Sequence, residues 1–84
     1  MADGPGTGHT PDEAAAARFL AEALTRTRAG DAEGARRLLV DAARAGSLPA
    51  ALQLGAWELI GLGGAADVPS AVARLRDAAD RGHA

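Results

Sequence analysis

The chain has 84 residues, enough for one small domain near the lower size at which a polypeptide builds its own core. Twenty-three Ala, ten Leu and eleven Gly, against one Phe, one Trp and no Tyr, favour helix but leave each helix only a thin apolar face. All nine basic residues are Arg, the net charge is −2 and Cys is absent; this gives no electrostatic case for nucleic acid or an anionic membrane surface, and it excludes disulfides, thiolate nucleophiles and Cys-ligated metals.

Residues 1–9 hold four Gly or Pro and predict a flexible tail. They lack the basic and apolar stretches of a signal peptide, and no apolar run approaches the roughly 20 residues that span a bilayer. Thr10-Pro11-Asp12-Glu13 has the form of a capping box, with Pro11 at the first helical position. The first helix is expected from Pro11 to about Arg28, with Gly30 just past its end. Asp31 caps a second helix running to Ala45, followed by Gly46. Ser47 caps a third, with Pro49 in its first turn, which ends before Gly61. Gly61 to Ala66 reads as loop, because three Gly in four residues make continued helix costly. Asp67 caps the fourth helix, Pro69 falls in its first turn, and Gly82 closes it. No segment alternates like a strand, so the expected fold is all-α, with short connections favouring antiparallel neighbours.

The second and fourth helices superpose without gaps at a spacing of 36 residues: Asp31 on Asp67, Ala35 on Ala71, Leu39 on Leu75, Asp41-Ala42-Ala43 on Asp77-Ala78-Ala79, and Gly46 on Gly82. A two-helix unit of this length is the mark of a helical solenoid. Leu54-Gly55, Gly61, Gly63, Asp67, Ala71, Ala78-Ala79 and Gly82 together resemble the Sel1-like repeat, a relative of the tetratricopeptide repeat. The resemblance covers residues 50–84 as nearly a full unit and, in residues 12–46, mainly the second half. It implies a short α-solenoid of two antiparallel helix pairs, residues 10–46 and 47–84, forming a single domain over 10–84. Two positions depart from it: the aromatic usual in the first helix of a unit falls at Glu58, and the one usual in the second helix is Arg74. For the first unit the preferred register sets Leu20-Ala21 opposite Leu54-Gly55 and shortens the loop by two residues. Small residues at Ala21, Gly55, Ala35, Ala71, Ala43 and Ala79 then let helices approach closely.

Chemistry-bearing constellations are few. His9 and His83 sit near the ends of the sequence without partners at metal-ligand spacing, so no metal site, cofactor or catalytic triad is expected. Glu22 and Glu58 fall one position apart on equivalent faces. Buried together they would form a carboxylate pair suited to acid–base work, but each is expected to be a solvated helix residue. Gly61-Leu62-Gly63-Gly64 precedes a helix yet lacks the Lys-Ser/Thr and the preceding strand of a P-loop. The Arg residues are read as solvated faces and partners of helix C-termini.

The resemblance implies that the first helix of each pair lines a concave face. In the preferred register Arg18, Glu22 and Thr25 face it from the first helix, and Leu52, Ala56 and Leu59 from the third, with Trp57 close by. An apolar strip beside a charged one suits an amphipathic helix or an extended peptide of a partner protein. Trp57 is the leading contact residue, because exposed Trp is often a binding hot spot; packing between the first and third helices is the competing reading. The expected role is a non-enzymatic interaction module, bacterial by its Arg-only, Ala-rich usage and cytoplasmic. The alternatives are a homodimer formed through the open side of the third and fourth helices, or a small enzyme or ligand carrier using Glu22, Glu58 and Trp57.

Overall fold

The computed structural model describes residues 11–82, and side chains from Glu13 onward. The expected tail at residues 1–9, the Thr10 half of the capping box, and both histidines lie outside the described residues. Among the described residues four helices follow one another: α1 (Pro11–Arg28), α2 (Ala32–Arg44), α3 (Leu48–Ile60) and α4 (Val68–Gly82). Among the described residues there is no strand, so the all-α expectation holds. The helix ends agree with the sequence signals to within a residue; α2 stops at Arg44, and Gly82 lies inside α4.

The caps explain that agreement. The Asp31 carboxylate accepts from the Gly34 amide at 2.9 Å, the Ser47 hydroxyl from Ala50 at 3.1 Å, and the Asp67 carboxylate from Ser70 at 3.1 Å. Each satisfies an amide that a helix start leaves without a partner. At the far end of α3, Gly61 takes φ +76, a conformation only glycine adopts without strain. Its N–H and that of Leu62 both donate to the Trp57 carbonyl, at 2.8 and 3.0 Å.

Each helix packs mainly on its neighbours in the chain, α1 on α2, α2 on α3 and α3 on α4. The result is a slab with Cα extents of 44 × 32 × 13 Å, thin enough for no more than two layers of helices. Ala23, Ala35, Leu39, Ala42, Ala50, Leu54 and Trp57 form the core, with Phe19 and Leu20 packed against it. Among the described residues only Leu39 and Leu54 are both large and fully buried, as the alanine-rich composition anticipates. Between α3 and α4, Ala71 and Ala78 are buried, and a Cβ at Gly55 would come within 2.6 Å of the Leu75 side chain. Gly55 is therefore glycine because Leu75 occupies the space a side chain needs.

The helix ends relate the two pairs. α1 ends at Arg28 and α3 at Ile60, 32 residues on, while α2 and α4 begin 36 apart, at Ala32 and Val68. Glu58 is thus the counterpart of Arg26. All four additional residues of the second pair fall in the loop between α3 and α4. This corrects the expected register. Gly55 stands opposite Ala23, which is 1 % exposed, and not opposite Ala21, which is exposed. Of the other small residues expected at close approaches, Ala35 and Ala71 are buried, Ala43 is half-buried and Ala79 is exposed.

Candidate functional site

Leu52, Ala56 and Leu59 are spaced to share one face of α3, and all three are exposed, the leucines by 46 and 41 %. In the corrected register their α1 counterparts are Leu20, Leu24 and Thr27, with Leu24 and Thr27 exposed and Leu20 half-buried. An open groove of about 680 Å³ lies at one end of this surface, where Glu13, Ala17 and Leu20 of α1 meet Gly46, Leu48 and Pro49. Its lining is chiefly apolar, and it brings Leu20 close to the first turn of α3.

Arg18, Glu22 and Thr25 are elsewhere. They are exposed on the side of α1 opposite buried Ala16 and Ala23, and their counterparts are Ala50, Leu54 and Trp57 of the core. The two-residue change of register is what moves them: it replaces an expected polar strip with Leu20, Leu24 and Thr27. Trp57 is 7 % exposed and belongs to the core cluster with Ala23 and Leu39. It is a packing residue, and the competing reading describes it. The signal that could have found the register is the glycine-rich stretch itself, since the extra residues fit there without disturbing either helix.

Glu58 also departs from expectation. It is 6 % exposed, and its two carboxylate oxygens accept from Arg74 Nε at 3.0 Å and Nη2 at 3.2 Å. A fork of this kind satisfies both groups with fixed geometry. The two positions at which the sequence departs from the Sel1-like pattern of aromatics therefore meet each other as an ion pair. With both oxygens engaged, Glu58 does not offer a free carboxylate, and Glu22 lies exposed on the outer side of α1. The two do not form an acid–base pair.

Nor is the glycine-rich loop an open anion cradle. Arg36 of α2 donates to the carbonyls of Leu62 at 3.1 Å and Ala65 at 2.9 Å. Gly63, at φ +74, lies so close to α2 that a Cβ would come within 2.5 Å of the Ala32 carbonyl oxygen. The extra residues thus fold over the start of α2, held by an arginine that sequence reasoning assigns to solvent. Two carboxyls are held below the ordinary aspartate range. For Asp31 the Gly34 amide is the main cause, with Arg26 assisting. For Asp67 the Ser70 hydroxyl and amide come first, with Arg36 and Arg74 adding to them.

Among the described residues no group of three His, Asp or Glu is placed to hold a metal ion, and no helix is long and apolar enough to cross a membrane. Compared with known proteins, the chain matches no family model, no curated protein and no solved structure.

Proposed function

We propose that the chain is a two-unit helical scaffold of the Sel1-like, tetratricopeptide type that binds a helical or extended segment of a partner protein along the α1–α3 face. The observation that carries this is the pair of exposed leucines, Leu52 and Leu59, on one face of α3, with an open apolar groove between α1 and the start of α3. The recurring aspartate cap of the second helix, Asp31 accepting from Gly34 and Asp67 from Ser70, supports the repeat reading. Side chains half-exposed in this way contribute about 1–2 kcal/mol each when covered, which suits a reversible contact with a few apolar anchors.

The test is affinity capture from the native cell with the wild-type chain and with a Leu52→Asp, Leu59→Asp double variant. The variant should keep its helical circular dichroism and lose the captured partner, whereas Arg18→Ala and Thr25→Ala should retain it. Capture that survives the double variant contradicts the assignment of the face.

A further inference from the structure

The surface of α2 that receives the second helix pair is formed by Ala32, Arg36, Val40 and Ala43, all half-buried. Its counterparts on α4, 36 residues on, are Val68, Val72, Arg76 and Ala79, and all four are exposed, the valines by 51 and 43 %. Helix α2 thus has a neighbour on either side, whereas α4 packs mainly on α3. The core cluster of α1, α2 and α3 takes no residue from α4. Only Ala71 and Ala78 of α4 are buried, with half-buried Leu75 resting on Gly55 between them. So small an apolar contact offsets little of the entropy lost in ordering the 15 residues of this helix. Elements of that kind open locally, below the free energy of global unfolding. We infer that α4 is a hinged cover on α3, which opens on its own while α1, α2 and α3 stay packed.

The parts of such a device are separate in the structure. The latch is polar: Arg74 forks onto the Glu58 carboxylate at 3.0 and 3.2 Å, and the Asp67 N–H donates to the Glu58 carbonyl at 2.8 Å. Both ties end on Glu58, so a single residue of α3 holds the helix down. The loop before α4 is anchored elsewhere. Arg36 donates to the carbonyls of Leu62 and Ala65, and Gly63 lies against Ala32, which fixes the chain to α2 as far as Ala65. Residues 65–67, exposed and outside any helix, form the pivot. Helix α4 also carries its own start signal. The Asp67 carboxylate accepts from the Ser70 amide at 3.1 Å and from its hydroxyl at 2.7 Å, bonds that need nothing from α3. Opening uncovers Gly55 and Glu58, on which Leu75 and Arg74 rest. The cover therefore governs when the buried carboxylate of α3 meets solvent.

The inference is independent of the partner-binding role. It is tested by native-state hydrogen exchange of the full chain, followed by NMR through a series of low urea concentrations. A detached helix of 15 residues is marginal in water, so its amides exchange once it swings out. The amides of Ala78 and Ala79 should be protected at least about tenfold less than those of Leu39 and Ala42. Their protection should also depend less on urea, because opening one helix exposes less surface than unfolding the chain. Two variants separate the latch from the core. Arg74→Ala should lower the protection of α4 at least about tenfold. Phe19→Leu, where α1 packs on the core, should lower protection in α2 and leave that of α4 within about twofold. One protection and one urea slope shared by α2 and α4, α4 protected more than α2, α4 protection unchanged by Arg74→Ala, or equal losses in both helices with Phe19→Leu would overturn it.

Discussion

The first and third helices each lead into an aspartate-capped helix and meet different surroundings. With their ends, Arg28 and Ile60, aligned, Arg18, Glu22 and Thr25 of α1 stand where α3 has Ala50, Leu54 and Trp57. The α3 residues are buried in the core with Ala23 of α1 and Ala35, Leu39 and Ala42 of α2, while the α1 residues are exposed. What lies in front of a helix, and not the helix's own propensity, decides which of its positions are apolar. The same comparison runs in reverse between α2 and α4. Their sequences match over the cap, the small residues and the central leucine, yet the face covered on α2 is open on α4.

The largest expected effect tests the α1–α3 comparison at its most unequal position. Trp57→Ala removes a large core side chain and should cost about 3–5 kcal/mol, a large part of the stability of so small a domain. Thr25→Ala, at the corresponding place on α1, should change stability by less than about 0.5 kcal/mol. Urea unfolding of both variants reads the difference directly, and similar losses would break the register.

Next comes the ion pair. Arg74→Ala leaves Glu58 buried without its partner. The cost should be about 2 kcal/mol, below the range for fully buried pairs because the Arg74 side chain is itself 31 % exposed. Replacing both by leucine should restore most of that loss, since a well-packed apolar pair removes the uncompensated charge. Arg26, the counterpart of Glu58, makes only an exposed contact to Asp31 at 3.2 Å, and Arg26→Ala should cost less than about 1 kcal/mol.

The smallest effect is shared by both pairs. Asp31 and Asp67 are more acidic in the folded chain than in the unfolded one. Their contribution is therefore complete above the ordinary aspartate pKa, about 4, and is lost as pH falls from there through their lowered values. Thermal melts between neutral pH and pH 3 should show stability falling on acidification, and Asp31→Asn or Asp67→Asn should each flatten that fall. A steeper fall in either variant would contradict the sign.

Much of the fold was legible because its punctuation is local. Asp31, Ser47, Asp67, Gly30, Gly46 and Gly61 mark helix ends through contacts within a few residues, which a sequence shows directly. The register between pairs was not legible in the same way. Small residues stand at both 21 and 23, so either satisfies a pattern that asks for one, and only the helix ends and the burial of Ala23 decide between them. The candidate surface followed from that choice: Leu52, Ala56 and Leu59 came from one helix and were placed together, whereas their α1 companions shifted by two. The roles of Glu58, Arg74 and Arg36 rest on contacts spanning 16 to 29 residues, and composition assigns such side chains to solvent by default.

The central claim is that α4 carries a second, uncovered version of the docking face of α2. The direct measurement is the solvent paramagnetic relaxation of the Val40 and Val72 methyl groups in dilute solution. Val40, half-buried, should be partly protected, and Val72, exposed by 43 %, should be strongly relaxed. Equal relaxation of the two, or a Val72 protected more than Val40, would contradict the account.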